Sequence, residues 1–496
     1  MKKSYIKINE KDNVIVALED MDKSQTIVIE NQEIKLKENI KSGHKIALED
    51  IKKGSNIIKY GYPIGYATSD IYKGDWIHTH NVKTNLEGIE EYTFNQRISP
   101  ANIENKDLTF NGYKREDGNV GIRNELWIVP TVGCVNGIGE LIIKKFKEEV
   151  KLEDIDGIEV FKHNYGCSQL GDDHKNTQKI LGNVVKHPNA GGVLVLGLGC
   201  ENNYIDSFKE SLGEYNDKRI RFLVAQEIDD EIEAGVKLLK ELYQQMKNDK
   251  RERILLSELK IGLKCGGSDG FSGITANPLL GAFSDFLIAQ GGSTILTEVP
   301  EMFGAERILM SRCINEEVFN KTVKLINDFK EYFIKYNQPV YENPSPGNKA
   351  GGITTLEDKS LGCTQKGGNA PIVDVLEYGE ILKTKGLNLL SAPGNDLVAA
   401  TALAASGCHI VLFTTGRGTP FGSFVPTMKI ATNSRIYNQK PHWIDYNGGT
   451  LLEGMSMDEV LKDFVEYIIR VANGAFVNNE KNDFREIAIF KTGVTL

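Results

Sequence analysis

The sequence predicts an α/β protein: a small N-terminal all-β domain followed by two doubly wound α/β domains with mainly parallel sheets. Three observations carry this reading. Up to about residue 85, short alternating runs lie between charged turns with little helical period, which suits a compact β unit. From about 109, apolar strand-like runs alternate with amphipathic stretches, the βαβ pattern of a parallel sheet. At 496 residues the chain is too long for one core, and a charged break over 247–253 divides the series in two.

The front unit (1–85) offers strands over 13–18, 25–29, 45–48 and 56–60. Residues 86–108 are polar and irregular and read as a linker. The first α/β unit (109–250) has strands over 125–130, 158–161, 192–197 and 221–225. Its helices run over 137–150, to about 185, and over 229–247. The run Gly192-Val193-Leu194-Val195-Leu196-Gly197 is continuously apolar, as a strand covered on both faces requires. The second α/β unit (251–496) restarts with strands over 261–263, 293–297, 387–391 and 409–413, and helices over 315–336, 396–405 and 457–472. Ser456 or Asp458 is available to cap the last helix. The Pro- and Gly-containing stretch 338–352 reads as a long surface excursion.

A net charge of −9 without a long basic run excludes nucleic acid and a membrane surface as expected partners. No apolar run approaches the ~20 residues that span a bilayer. Lys2 and Lys3 have no apolar region behind them, so a cytoplasmic location is expected. The seven cysteines are an odd number and scattered, which argues against a disulfide framework. Five of them, Cys134, Cys167, Cys200, Cys363 and Cys408, follow a glycine, and Cys265 precedes two, a habit of shared loop geometry.

In open α/β sheets ligands sit beyond the carboxyl ends of the strands. The loops expected there are 131–136, 163–174, 199–203, 264–270, 361–369, 392–396 and 415–420, all small, polar and glycine-rich. Residues His163 to His174 hold two histidines, a thiol, an amide and two carboxylates. Their Gly166-Cys167-Ser168-Gln169 is echoed by Gly362-Cys363-Thr364-Gln365. His163 or His174 can act as base or acid, because imidazole titrates near neutral pH. Asp172 at the start of a helix either favours the helix dipole or binds metal. Lys264 and Lys366 lie in glycine-rich loops, and Arg123 and Arg417 can grip a carboxylate bidentately, Arg123 having an ion pair with Asp117 or Glu125 as its structural alternative. On a strand, His78 and His80 point to one face and can share a metal. Three thiolates among Cys134, Cys167, Cys200, Cys265 and Cys363 could instead hold an iron–sulfur cluster. Neither Gly-x-Gly-x-x-Gly after the first strand nor a phosphate-binding loop is present. The match Gly266-Gly267-Ser268-Asp269-Gly270 lacks the helix a serine nucleophile needs directly behind it.

At these loops the chain resembles a known family. Residues 112–124, His163 to Asp173, Gly197-Leu198-Gly199-Cys200-Glu201-Asn202, Lys264 to Asp269, and Gly416-Arg417-Gly418-Thr419-Pro420 are similar to the altronate/galactarate dehydratases. The front unit, with Gly74-Asp75-Trp76-Ile77-His78-Thr79-His80-Asn81, resembles their antifreeze-like (SAF) domain. Length and the complete front unit bring it nearer the altronate side. The resemblance implies loss of water from a sugar acid, D-altronate giving 2-keto-3-deoxy-D-gluconate, with a divalent metal, Fe2+ or Mn2+. On residue type and loop position, His163, His174, Lys264, Asp269 and Lys366 are then expected in catalysis. Arg123, Cys167, Gln169, Asn202, Cys363, Gln365 and Arg417 are expected at the substrate, and His78, His80 and Asp172 at the metal. An iron–sulfur hydro-lyase, a galactarate dehydratase and a non-catalytic sugar-acid sensor stay open as alternatives, as does a homo-oligomer.

Overall fold

The computed structural model describes residues 4–29, 32–493, 495 and 496. The front unit is built of short antiparallel strands, Val14–Ala17, Lys45–Ala47 and Trp76–Ile77 among them. One of its apolar clusters is its own, around Ile15, Ile34 and Ile46. A second runs through Val14, Ile57 and Ile64 into Ala305 and Leu361, so the unit is packed against the C-terminal part.

Two sheets follow, both wholly parallel. The four-stranded sheet has the order Gly157–Val160, Glu125–Pro130, Ala190–Gly197, Ile220–Val224. The seven-stranded sheet has the order Ile372–Leu376, Leu387–Leu390, Ser293–Leu296, Lys260–Cys265, Ile410–Thr415, Thr427–Ala431, Tyr446–Asn447. Its earliest strand, Lys260–Cys265, is therefore central, with later strands on both flanks. The carboxyl end of such a strand is where an open α/β sheet places its ligand.

One face of the large sheet packs on helices Ala276–Ala289, Glu316–Lys335 and Met457–Ala472. Asn315 and Ser456 cap the last two, each accepting a backbone N–H of the first turn. The other face belongs to a core shared with the small sheet. Trp127 and Val195 of one and Val411 and Phe413 of the other join across helices Gly171–Val185 and Asp396–Ala405. The two α/β units thus face each other through a common apolar layer.

Three strands of the large sheet, Ile372–Leu376, Thr427–Ala431 and Tyr446–Asn447, are absent from the reading above. The first is an edge strand with Asp374 in it, and the last has two residues, so neither shows a long apolar run. Strand Thr109–Lys114 pairs antiparallel with Glu252–Leu255, tying the start of the first α/β unit to the start of the second. The stretch 338–352 contains helix Pro346–Ala350 and a buried Asn348, and it walls a cavity instead of standing clear of the protein. The Gly362-Cys363 echo ends helix Leu356–Cys363 and runs into a turn of 3-10 helix, so it is not a strand-end loop.

Two buried histidines stitch the α/β units together. His187 pairs through Nε2 with the Cys408 carbonyl at 3.2 Å, and His409 with the Val120 carbonyl at 2.7 Å. Their Nδ1 atoms accept the backbone N–H groups of Asn189 and Lys260. Burial holds His187 down at about 3 and His409 well below its usual range. Unfolded histidines take up a proton below about pH 6.5, and these two resist it in the fold. Their contribution is complete above about pH 6.5 and is lost as the pH falls from there toward 3. The expected slope is about 1.4 kcal/mol per pH unit for each histidine. Urea unfolding at pH 7.5 and 5.5 checks this: His187→Phe must flatten the pH dependence, and an unchanged slope refutes it.

Candidate functional site

The chemistry gathers where strand Lys260–Cys265 ends. Cys265 is its last residue. Glu298 follows the neighbouring strand at a left-handed φ of 69°, and Glu301 sits in the single turn Val299–Glu301 behind it. Cys363 closes helix Leu356–Cys363 and Lys366 lies in the turn beyond. These segments bring Cys265 Sγ and Cys363 Sγ to 3.4 Å, and Glu301 Oε2 to 3.1 Å and 3.2 Å from them. Among the described residues this buried triad is the one group of His, Cys, Asp or Glu whose donor atoms converge as an ion requires.

Lysines surround it. Lys366 Nζ lies 2.9 Å from Cys265 Sγ and 3.0 Å from Glu298 Oε2. Lys264 Nζ bridges Glu298 at 2.7 Å and Asp396 at 2.8 Å. Lys359 Nζ is 2.7 Å from Glu301 Oε1. Burial would raise the Glu301 carboxyl, but Lys359 and Lys366 outweigh it and hold it below its usual range. Hydrogen bonding to Cys265 and burial together push the Cys363 thiol well up. Three ammoniums face three carboxylates here, so ionising both thiols would leave a double negative charge for a divalent cation to balance. Two sulfurs and a carboxylate are a donor set that Fe2+ accepts.

Two of the triad, Cys265 and Glu301, reach a cavity of about 740 Å³. Cys265, Glu301, Lys359, Asp396 and Arg417 line it, with Asn343, Asn348, Phe329, Tyr332 and Phe490 as walls. Asp396 opens helix Asp396–Ala405 and its side chain is 37% exposed. Arg417 is exposed, holds the Gly347 carbonyl at 3.1 Å, and stands between this cavity and a second of about 650 Å³ beside the front unit.

Of the residues singled out from sequence, Lys264, Lys366, Cys363 and Arg417 come together here. Asp269 lies close by but is spent on structure, accepting from Ser272, Thr432, Asn433 and the Phe271 N–H. Gln365 donates to the Leu361 carbonyl. Glu298, Glu301, Lys359 and Asp396 were not among the expected residues. Two of these come from segments without a glycine signature, and their convergence depends on tertiary packing.

Several expectations are corrected. Arg123 is fully buried; its guanidinium pairs with Glu480 at 2.7 Å and donates to the carbonyls of Ile122, Val471 and Ala475, so nothing remains for a substrate. His163 has both ring nitrogens engaged by backbone, the Pro130 carbonyl at 2.7 Å and the Tyr165 N–H at 3.1 Å. Burial lowers it to about 4. The strand before His78 ends at Ile77, so His78 turns inward, stacked on Trp76, while His80 is exposed. Asp172 is an exposed residue of another unit, paired with Lys175 at 3.6 Å, and the three do not converge as metal ligands.

The loop from His163 to His174 stands at the carboxyl end of the small sheet, outside the cavity. His174 lies in the first turn of helix Gly171–Val185, with a buried Nδ1 lacking a hydrogen-bond partner. Gln169 accepts from the Gly166 N–H and Thr177, Asn202 accepts the Ser168 N–H, and Cys167 is exposed. The C-terminal segment joins loop and cavity. Ile489 N–H donates to Tyr165 Oη, Thr492 and Gly493 donate to Asp173, and Phe490 between them lines the cavity. Gly166 has φ 96°, and a Cβ there would lie 2.0 Å from the Thr131 carbonyl oxygen. Gly166→Ala is therefore expected to displace this loop and lower the unfolding midpoint by several degrees; a variant as stable as the parent by calorimetry contradicts this contact.

No helix among the described residues is long and apolar enough to cross a membrane. The profile described as altronate/galactarate dehydratase SAF domain matches residues 3–85. The second domain of D-galactarate dehydratase/altronate hydrolase matches 112–247, and the C-terminal domain of D-galactarate/altronate dehydratase matches 256–495. Over 496 residues the chain is 64% identical to altronate dehydratase of Bacillus subtilis, covering 100% of each. It is 59% identical to altronate dehydratase of Escherichia coli, covering 99% of this chain and 100% of that one. To galactarate dehydratase (L-threo-forming) of Escherichia coli it is 33% identical, covering 95% and 93%. A match of this extent through all three units, over a cavity that can hold a small anion, means that the chain belongs to the altronate/galactarate dehydratase family of hydro-lyases.

Proposed function

We propose that the chain dehydrates D-altronate to 2-keto-3-deoxy-D-gluconate in the cavity above Cys265, Glu301 and Cys363, with a divalent metal, Fe2+ or Mn2+. The buried triad, two of whose members line the cavity, carries this reading. It supports an ion held by the two sulfurs and the Glu301 carboxylate, which when bound would supply Lewis-acid stabilisation of charge developing on substrate oxygens.

The protein groups divide the remaining work. Arg417 at the rim grips the C1 carboxylate and offsets its charge, making the C2 proton easier to remove. Asp396, 2.8 Å from Lys264 Nζ, accepts that proton. Lys359, held charged by Glu301 against the opposing effect of burial, donates to the C3 hydroxyl as it leaves as water. The enol left behind loses its C2 hydroxyl proton to solvent as it takes up a proton at C3, and becomes the 2-keto-3-deoxy acid.

The test is a substrate panel of aldonates and aldarates, with metal-stripped protein and added Fe2+ or Mn2+, read by a carbonyl assay. Altronate is expected to turn over fastest, and Cys363→Ser to lose both bound metal and turnover. Faster turnover of galactarate redirects the assignment to that substrate. No product from any acid with either metal sinks the enzyme reading and leaves a sugar-acid sensor.

A further inference from the structure

Of the seven cysteines, Cys134, Cys167 and Cys200 are exposed, and the other four are buried. All three exposed thiols stand at the carboxyl edge of the four-stranded sheet. They follow strands Glu125–Pro130, Gly157–Val160 and Ala190–Gly197 respectively. These strands are immediate neighbours, with the Cys134 strand in the middle. Strands in a sheet lie about 4.8 Å apart, so the two outer loops are separated by about 10 Å with the third between them.

The loops are locked onto one another by backbone contacts. Gly133 N–H donates to the Tyr165 carbonyl at 3.0 Å, and a Cβ on Gly133 would strike the His163 oxygen at 2.6 Å. Asn203 N–H donates to the Gly166 carbonyl at 3.0 Å, and the Asn203 side chain to the Thr131 carbonyl at 3.1 Å. Glu201 accepts from Thr131 at 2.6 Å and from the N–H groups of Leu198 and Gly199. Ser168 is itself left-handed at φ 57°. Each thiol thus sits beside a residue pinned to a neighbouring loop, and Cys200 Sγ has the Gln226 amide at 3.7 Å.

We propose that Cys134, Cys167 and Cys200 are the three protein ligands of a [4Fe–4S] cluster, a centre separate from the Cys265–Glu301–Cys363 triad. A single ion with bonds of about 2.3 Å to sulfur would hold its thiolates within about 4.6 Å of one another. Among the described residues these three thiols do not form so tight a group. A cluster distributes its thiolates over separate irons and accepts the wider spacing set by three parallel strands. Each thiol releases its proton to solvent on ligation, and the fourth iron is left without a cysteine, open to water or to a hydroxy acid.

The test is anaerobic reconstitution of the full chain with equal amounts of ferrous and ferric iron and with sulfide, which supplies the cluster's electrons without a further reductant. About four acid-labile sulfides per chain are expected, with about four irons beyond the single ion the triad would hold, and with broad visible absorption that dithionite bleaches. The variant Cys134→Ser/Cys167→Ser/Cys200→Ser should lose that absorption and the sulfide while keeping its unfolding midpoint, because all three side chains are at the surface. Cys265→Ser/Cys363→Ser should keep the absorption even if its turnover is gone, so failure of this proposal and failure of the cavity reading are told apart. The proposal is overturned if the reconstituted chain gains no acid-labile sulfide, if the triple variant retains the absorption, or if only the Cys265/Cys363 variant loses it.

Discussion

Asp358→Ala is expected to destabilise the protein by at least about 3–5 kcal/mol and to loosen the front unit from the rest. Asp358 Oδ2 accepts Lys45 Nζ at 2.8 Å and Oδ1 accepts Lys59 Nζ at 2.9 Å, with neither lysine more than 1% exposed. Thr354 adds its N–H at 3.0 Å and its hydroxyl at 3.1 Å. Burial would raise this carboxyl, but the two ammoniums outweigh it and hold it far below the usual carboxylate range. Removing the carboxylate strands two cations in an apolar setting, which costs far more than the hydrogen bonds alone. Replacing all three with apolar residues, as Lys45→Met/Lys59→Met/Asp358→Leu, should recover much of the loss. Thermal unfolding of the variants measures both effects. Proteolysis within 86–108 should accelerate in Asp358→Ala and return toward the parent rate in the triple variant. A single variant within about 1 kcal/mol of the parent would show that the pairs carry little of the junction.

That junction also explains why part of the site is invisible in sequence. Asp358 and Lys359 are neighbours on one helix, the first facing the front unit and the second the cavity. Nothing in the local pattern distinguishes their roles. The alternation of strands and helices was legible because it depends on local period and on glycine at strand ends, and strand Glu125–Pro130 and helices Asp396–Ala405 and Met457–Ala472 fall where the pattern puts them. Lys264, Lys366 and Arg417 were legible for the same reason, each a charge set among glycines. His163 was not, because its partners are a backbone carbonyl and a backbone amide, which no residue type announces. Arg123 pairs with Glu480, 357 positions away, where its sequence neighbours Asp117 and Glu125 had offered the obvious partners. Glu298 and Glu301 lie among ordinary residues, and Glu298 adopts a left-handed backbone without being glycine. Strain of that kind persists only where surrounding structure enforces it, and here the enforcing contacts are Lys264 and Lys366.

Asp396→Asn is expected to lower kcat for altronate by about 10²–10⁴-fold, the range for loss of a positioned proton acceptor. The carboxylate opens a helix at the cavity rim, with Asn395 capping that helix through the Leu397 and Val398 N–H groups. The substitution keeps size and shape, and Lys264 retains Glu298 at 2.7 Å, so the fold should survive it. KM should stay within about threefold, because a group acting in the transition state contributes to kcat and not to ground-state binding. Arg417→Ala should behave in the opposite way, raising KM by about tenfold or more with a smaller fall in kcat, since a carboxylate anchor binds substrate and transition state alike. Arg417→Lys should recover only part of that affinity, a compact ammonium being unable to reproduce the bidentate grip. Steady-state kinetics of the three variants, with metal content measured alongside, separates proton transfer from anchoring. If Asp396→Asn keeps kcat within tenfold at full metal occupancy, the proton acceptor lies elsewhere in the cavity. Glu342, another carboxylate on the cavity lining, is then the next group to replace.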